Sequence, residues 1–459
     1  MNNNPSNMKK LLYFFIFLST ILVGAQNSDL SRDSIAKYTQ QDFAQMKEQL
    51  GITIPNRPGP SGNPADPNAA NSDENKVVAY NLPDPLTTSK GTQIVTEEAW
   101  WKIRKPEIVA QFETEMYGHV PENIPDISWT VVSEKDTTAG PYPVTETLLI
   151  GKVDNSNHPD IEVNIELLIG LPKNSEKAVP LVTRFGFITW PFGPPPAEPS
   201  SYFMSSYEPL WKQQLISQDW GYAILVPSTI QADNGAGLTS GIIGLVNKGE
   251  HRSPEDWGVL RAWAWGAGKA MDYYETNPKI DASKIGIEGT SRYGKAALVT
   301  MAFDPRFSLG FIGSSGAGGA SLLRRNFGEM VENLASSAEY HWFAGNFIKY
   351  ASTLTVNDLP VDAHELIALC APRPVFISVG SPLIEGNWVD GKGMFLAGLH
   401  ASPVYTLLGK KGMESEEYPV IGQALTSGEV AFRQHAGGHS TGPNWSTWIA
   451  WAHKYWKDE

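Results

Sequence analysis

Residues 284–303 read KIGIEGTSRYGKAALVTMAF, and this stretch decides the fold. Its first part is a short apolar run typical of a buried strand, and the segment after Ser291 has the composition of a helix. A serine on the sharp turn between strand and helix, with glycines nearby, is the setting of a nucleophile elbow. We therefore predict Ser291 as a nucleophile and the backbone N–H of Arg292 as a donor to the oxyanion that forms during acyl transfer.

Strand and helix patterns alternate on both sides of this turn. Strands are predicted at 179–186, 222–228, 307–316 and 373–381, a last strand ends within 430–440, and helices are predicted at 256–276, 292–304 and 445–456. Such alternation predicts a mostly parallel central sheet with helices on both faces, because parallel strands need crossover connections that cover the sheet. The predicted architecture is therefore a three-layer sandwich of the α/β-hydrolase type.

The N-terminal part of the chain differs from this core. Residues 1–25 combine two lysines, the apolar run LLYFFIFLSTILV and small residues before Gln26, which is the pattern of a signal peptide. Residues 26–76 are rich in Pro, Asn, Gly and Asp after a short amphipathic stretch and are predicted to form a polar arm or linker. Residues 77–459 are predicted to be the catalytic domain. We expect a periplasmic or secreted protein without membrane attachment after signal cleavage.

Composition excludes several classes of function. The net charge is −13 and no basic stripe occurs, which argues against a nucleic-acid partner. Cys370 is the single cysteine, so no intrachain disulfide can form, and its apolar surroundings favour a buried thiol. No set of residues has the spacing of metal ligands, so neither a metal nor an organic cofactor is predicted. A monomer is expected.

The partners of the nucleophile should follow it in the order acid and then histidine. His435 and His439 lie on the loop after the last strand, and the two glycines before His439 favour it as the base, with His435 as the alternative. The acid should follow the strand at 373–381, where Glu385 and Asp390 occur. Glu385 is nearer the strand end and is preferred, with Asp390 as the alternative. Either carboxylate would orient His439 and stabilise its charged form.

The motif GTSRYGKAAL resembles the nucleophile motif of the glucuronoyl esterases, carbohydrate esterase family fifteen, and the likeness is to the bacterial type. In that family Ser is followed by Arg, one residue, Gly and Lys. The likeness covers most of the chain after about residue 97. The blocks that carry it are KPEIVAQFETEMYGHVP, DWGVLRAWAWGAGKAMDYYET, SSGAGGASLLRRNFGEMVENL, EYHWFAGNF, DAHELIALCAPRP, NWVDGKGMFLAG and the AGGH loop.

The resemblance implies a serine esterase that cleaves the ester between 4-O-methylglucuronic acid of glucuronoxylan and an alcohol of lignin. It implies that Arg292 helps to hold the oxyanion through its side chain. It also implies that Lys295 contacts sugar hydroxyls, that Glu329 accepts hydrogen bonds from them and that Trp388 packs along the sugar. These residue types suit a uronate ester, because its carboxylate charge is masked and recognition must come from the hydroxyls and the ring face.

This chain departs from the family pattern at the acid. Many bacterial members carry Asp two residues before the tryptophan, where this chain has Gly386, and others carry a Glu where this chain has Ala317. The acid is then Glu385 or Asp390, or the triad is weakened. Two other functions stay open at this point: an acetyl or other carbohydrate esterase of the same fold, and a catalytically weakened glycan-binding homologue.

Overall fold

The computed structural model describes residues 30–189 and 210–457. Their strands form one sheet in the order β1-β2-β3-β5-β4-β6-β7-β8-β10-β9. The strands are β1 (Ile127–Ala139), β2 (Tyr142–Val153), β3 (Asn164–Pro172), β4 (Val179–Phe185), β5 (Gly221–Leu225), β6 (Ile280–Thr290), β7 (Leu309–Gly313), β8 (Val375–Val379), β9 (Ala424–Leu425) and β10 (Val430–Gln434).

The centre of the sheet is parallel. Strands β5, β4, β6, β7, β8 and β10 pair in parallel with one another, whereas β1, β2 and β3 at one end and β9 at the other form antiparallel pairs. The predicted mostly parallel sheet with helices on both faces is therefore confirmed. The helices are α1 (Arg32–Gln49), α2 (Glu97–Ala99), α3 (Lys105–Phe112), α4 (Trp211–Ile216), α5 (Gly241–Val246), α6 (Val259–Tyr274), α7 (Arg292–Phe303), α8 (Val331–Leu334), α9 (Ala363–Cys370), α10 (Gly391–Leu407) and α11 (Trp445–Ala452).

Two hydrophobic cores cover the two faces of this sheet. Successive residues of a strand point to opposite faces, so Leu181 and Ile312 lie in one core and Val182 and Phe311 lie in the other. Helices α6, α7, α9 and α10 cover the first core, and α4 and α11 cover the second. The second core is built largely from aromatic side chains, among them Trp220, Trp445, Trp448 and Trp451.

Residues 30–76 lie against the rest of the described chain. On α1, the carboxylate of Asp42 accepts a 2.6 Å hydrogen bond from the Tyr340 hydroxyl and lies 2.7 Å from His251 Nδ1. Farther along, the carbonyl of Asn71 accepts a 2.9 Å hydrogen bond from the N–H of Gly328. The chain division at residue 77 stays a prediction. The predicted signal peptide lies outside the described residues, and none of the helices described is long and apolar enough to cross a membrane.

The parallel strands place their carboxyl ends along one edge of the sheet. Ser291 directly follows β6, Glu385 follows β8, and His439 follows β10. Loops at this edge are where α/β proteins build their sites, because all the strand-to-helix connections converge there.

Candidate active site

Ser291 occupies the turn between β6 and α7 in a strained conformation. Its φ of 63° and ψ of −133° lie in a region that L-residues rarely adopt, as a nucleophile elbow requires. A Cβ on Gly289 would lie 2.1 Å from the carbonyl oxygen of Tyr293, and one on Gly294 would lie 2.6 Å from that of Gly313. Glycine is therefore needed on both sides of the turn. The second glycine comes three residues after the serine because that position faces β7.

His439 and Glu385 form a close pair. His439 Nδ1 lies 2.6 Å from Glu385 Oε1, and Glu385 Oε2 accepts a 2.5 Å hydrogen bond from the N–H of Gly380. Burial would raise the pKa of Glu385, but the hydrogen bond and charge of His439, with the donors at Ser314 and Gly380, lower that pKa below its ordinary value of 4.5. The carboxylate is therefore ionised at neutral pH. It fixes the proton of His439 on Nδ1 and leaves Nε2 as the basic nitrogen.

Asp390 has a different environment. Its carboxylate accepts hydrogen bonds from Arg325 Nε at 2.9 and 3.2 Å and from the N–H of Gly393 at 2.9 Å, and it caps the start of α10. Burial raises the pKa of Asp390 to about 6, although Arg325 and Gly393 oppose this shift. The structure thus brings Glu385, and not Asp390, to His439.

His435 is a brace within the same loop. Its Nε2 donates a 2.7 Å hydrogen bond to the carbonyl of Ser440, and its Nδ1 accepts a 3.1 Å hydrogen bond from the N–H of Gly437. These two partners fit only the neutral ring with the proton on Nε2. Burial lowers the pKa of His435 to about 4. Both ring nitrogens are thus engaged in holding the turn that carries His439.

The His435 brace predicts a pH-dependent stability. The pKa of His435 falls from 6.5 to about 4 on folding, so its contribution is complete above pH 6.5 and is lost as the pH falls towards 4. We expect a loss of up to about 3 kcal/mol in the free energy of unfolding over this range. Urea denaturation at pH 7 and pH 4.5 measures it. His435→Gln should show a smaller pH dependence, and an equal dependence in both proteins would contradict the prediction.

The loop after β10 reaches the strand of the nucleophile. The hydroxyl of Thr441, two residues after His439, donates a 2.6 Å hydrogen bond to Glu288 on β6. The carbonyl of Gly313 accepts a 2.9 Å hydrogen bond from the N–H of Ser291, and a Cβ on Gly313 would lie 2.3 Å from the methyl of Thr441. The loop that carries His439 therefore lies beside the turn that carries Ser291.

The side chain of Arg292 is fixed by Asp233, which sequence analysis missed. Arg292 Nε lies 2.6 Å from an oxygen of Asp233, whose other oxygen accepts hydrogen bonds from Trp342 Nε1 at 2.6 Å and His341 Nε2 at 3.1 Å. Burial would raise the pKa of Asp233, but Arg292 and these donors lower it to about 2. Asp233 lies in a loop after β5, and no motif marks it. Asp233 thus fixes the position of the Arg292 guanidinium.

Lys295, Glu329 and Trp388 form a connected polar group. Lys295 Nζ donates hydrogen bonds to the carbonyls of Ser315 and Ala317, at 2.8 and 2.5 Å, and to Glu329 Oε2 at 3.0 Å. The other oxygen of Glu329 accepts a 3.2 Å hydrogen bond from Trp388 Nε1. The three residues predicted to bind the sugar therefore lie together. Lys295 lies one helical turn after Ser291, and Trp388 lies three residues after Glu385.

Glu339 is a second carboxylate that sequence analysis missed. Its Oε2 atom is buried and has no hydrogen-bond partner among the described residues. Burial raises the pKa of Glu339, the charge of Glu329 raises it further, and Lys295 and Arg292 lower it. The block EYHWFAGNF contributes to the family resemblance, but nothing in its sequence separates Glu339 from a solvated carboxylate. An unsatisfied acceptor beside Glu329 and Lys295 is suited to a ligand hydroxyl.

Comparisons with known proteins match this chain to esterases. A family model described as "Glucuronyl esterase, fungi" matches residues 251–409. Carbohydrate esterase MZ0003, from an unknown prokaryotic organism, is 32% identical over 412 residues, which are 84% of this chain and 92% of that protein. The 4-O-methyl-glucuronoyl methylesterase 1 of Wolfiporia cocos is 29% identical over 354 residues, 75% of this chain and 76% of that one.

Solved structures give the same result. A CE15 glucuronoyl esterase from Teredinibacter turnerae is 42% identical, with a TM-score of 0.82 over 91% of this chain and 100% of that one. A glucuronoyl esterase from Solibacter usitatus is 32% identical, with a TM-score of 0.72 over 84% of this chain and 100% of that one.

Fold and comparisons together define an α/β-hydrolase that is a carboxylic ester hydrolase. Its sheet, elbow and loop arrangement are those of that class. More particularly, the chain belongs to carbohydrate esterase family fifteen, the glucuronoyl esterases. The family resemblance read from the serine motif is therefore confirmed.

Proposed function

We propose that this protein hydrolyses the ester between 4-O-methylglucuronic acid of glucuronoxylan and an alcohol of lignin, through an acyl-enzyme on Ser291. The observation that carries the proposal is that the proposed reacting residues and the proposed sugar-binding residues lie on the same two segments of the chain. Lys295 lies one helical turn after Ser291, and Trp388 lies three residues after Glu385. A sugar bound by the polar group would thus present its ester to the serine. The names of the relatives support this substrate class.

The first half of the reaction forms the acyl-enzyme. Nε2 of His439 takes the proton of the Ser291 hydroxyl, and the oxygen attacks the uronate carbonyl carbon. The backbone N–H of Arg292 belongs to the first turn of α7, where N–H groups have no acceptor within the helix, and it donates to the oxyanion. The guanidinium of Arg292, held by Asp233, adds positive charge. His439 then protonates the oxygen of the departing alcohol as the tetrahedral intermediate collapses.

The second half releases the acid. His439 deprotonates a water molecule, which attacks the acyl carbon. As the bond from the acyl carbon to Ser291 breaks, His439 returns this proton to the serine oxygen. In both halves the imidazole becomes positively charged. The ionised carboxylate of Glu385 stabilises that charge and keeps the ring in the productive orientation.

Sugar recognition combines hydrogen bonds to the ring hydroxyls with packing against the ring face. Lys295 exchanges one of its three hydrogen bonds within the protein for a ring hydroxyl, Glu329 and Glu339 accept from ring hydroxyls, and the half-buried Trp388 packs on the pyranose. The ester has no carboxylate charge, so a salt bridge to the substrate is not needed. We also propose that residues 1–25 direct the protein to the periplasm or outside the cell, where glucuronoxylan is met.

The ester preference is the experiment that tests this function. We expect methyl 4-O-methylglucuronate to be cleaved with a kcat/KM at least about 100-fold above that for acetate release from acetylated xylan, because the hydroxyl contacts are specific to the uronate. Methyl galacturonate, which has the opposite configuration at C4 and lacks the 4-O-methyl group, should be cleaved about tenfold less efficiently. Faster acetate release would instead define an acetyl esterase. Binding without turnover of any ester would define a glycan-binding homologue.

A further inference from the structure

Glu288 is a buried carboxylate that the proposed reaction does not use. It lies on β6, three residues before Ser291, and is fully shielded from solvent. Its Oε1 accepts the 2.6 Å hydrogen bond from Thr441, and its Oε2 lies 3.1 Å from Arg184 Nε. Arg184 is the residue directly opposite Glu288 on β4, and its guanidinium stacks on Trp211 at 5.1 Å. The carboxylate thus joins β4, β6 and the loop after β10.

The negative charge of Glu288 depends on Arg184 and Thr441 for its stabilisation. An unpaired buried carboxylate loses the hydration that water would give it, and only close positive charge and hydrogen bonds offset that loss. Burial raises the pKa of Glu288, and Arg184 and Thr441 act in the opposite direction. A hydroxyl bonded to such a carboxylate is held more tightly than one bonded to a neutral acceptor.

Thr441 is the residue through which the loop after β10 reaches β6. Strands β7 and β8 separate β10 from β6, so the loop must pass over both to reach Glu288. Gly437 and Asn444 tie the loop to β8, through the N–H of Ser381 and the hydroxyl of Ser378. Thr441 ties it to the strand of the nucleophile.

We infer that Glu288 and Thr441 are positioning residues whose hydrogen bond holds His439 within proton-transfer reach of Ser291. The inference rests on the proposed roles of Ser291 and His439. The two glycines before His439 give the loop freedom of movement, so fixed points are needed on both sides of the histidine. The His435 brace and Glu385 hold it towards β8 and β10, and the bond from Thr441 to Glu288 holds it towards β6. Loss of that bond should separate the imidazole from the hydroxyl without altering the sugar site.

The test compares Thr441→Val, Thr441→Ser and Glu288→Gln in the full chain. Three quantities are measured: kcat and KM for methyl 4-O-methylglucuronate, the rate constant for modification of Ser291 by a small fluorophosphonate, and the melting temperature. The matched control is Thr183→Val. Thr183 is a fully buried threonine of β4, and its hydroxyl donates a 3.0 Å hydrogen bond to Tyr274.

Thr441→Val should lower kcat and the fluorophosphonate rate together by about 10- to 100-fold, with KM unchanged within about twofold, since small displacements of a catalytic group have effects of this size. Thr441→Ser keeps the hydroxyl and should retain both rates within about threefold. Glu288→Gln keeps an acceptor oxygen but loses the charge, so a smaller loss is expected. Thr183→Val should lower the melting temperature without lowering either rate.

Wild-type rates in Thr441→Val and Glu288→Gln would overturn the inference. An activity loss in Thr183→Val equal to that in Thr441→Val would also overturn it, because both losses would then follow from stability alone. The reaction of Ser291 with the fluorophosphonate does not depend on the residues proposed to bind the sugar. A wild type that reacts with it but cleaves no glucuronate ester would refute the proposed substrate, while the phosphonate rates would still decide the role of Thr441.

Discussion

Replacement of Ser291 by alanine is expected to lower kcat by about 10⁴- to 10⁶-fold, because the acyl-enzyme can no longer form. The side chains proposed to bind the sugar lie on α7, on the loop after β7 and on the loop after β8, and the substitution leaves them unchanged. The dissociation constant for 4-O-methylglucuronate should therefore stay within about threefold of the wild-type value. Steady-state kinetics with the methyl ester and calorimetric titration with the free acid measure the two quantities.

Ser308→Ala is the matched control for this variant. Ser308 precedes β7 at the opposite edge of the sheet, and its hydroxyl donates to the carbonyl of Ile285 at 3.0 Å. We expect wild-type turnover from it. Ester hydrolysis by Ser291→Ala at more than about one hundredth of the wild-type rate would place the nucleophile elsewhere.

Replacement of Glu385 by glutamine should lower kcat by about 10²- to 10⁴-fold, with little change in KM. The amide keeps the size of the side chain but offers no negative charge to the imidazolium. The amide can also donate a hydrogen bond to Nδ1 of His439, which favours the neutral tautomer with the proton on Nε2. The pH–rate profile and kcat of Glu385→Gln and the wild type, measured on the same ester, check this expectation.

Asp390→Asn serves as the comparison, since it changes the other carboxylate of the same loop. Asp390 accepts from Arg325 and lies in a buried ion pair. Its substitution should lower the free energy of unfolding by about 1–3 kcal/mol and leave kcat within about threefold. The reverse pattern, with a large loss of kcat in Asp390→Asn and none in Glu385→Gln, would assign the acid to Asp390.

Burial alone does not decide the protonation of the carboxylates in this site. Asp233 and Glu385 are both buried, yet their pKa values are lowered because Arg292 and His439 lie directly beside them. The pKa of Glu339 is raised by burial and by the charge of Glu329. Partners within hydrogen-bond distance therefore distinguish Asp233 and Glu385, whose pKa values are lowered, from Glu339, whose pKa is raised.

Local patterns in the sequence predict the elbow and the parallel centre of the sheet. The strand, turn and helix around Ser291 lie within twenty consecutive residues, so periodicity and the glycines suffice to predict the elbow. The parallel centre of the sheet follows from alternating strands and helices, and the structure confirms it. Ser291 as nucleophile and His439 as base stay predictions until the variants are measured.

Other features of the site, such as the identity of the acid, are not reported by any short pattern in the sequence. Glu385 and Asp390 are five residues apart on one loop, and each follows β8 closely enough to be the acid. The first residue after the elbow, Arg292, meets Asp233 from another loop, and Glu339 becomes a site residue only through its neighbours. In each case the chemistry depends on which loops meet, and no spacing along the chain reports that.

The sequence by itself determined the fold class, the position of the elbow and the family, because each depends on short-range patterns or on blocks in a fixed order. Only the tertiary structure decided which carboxylate meets His439, what holds Arg292 and where the loop after β10 is anchored. His439 and Glu385 are 54 residues apart, and Thr441 and Glu288 are 153 apart. Contacts at such separations are set by how parallel strands align their carboxyl ends, and a shift of one residue in that alignment would direct a different side chain at the site.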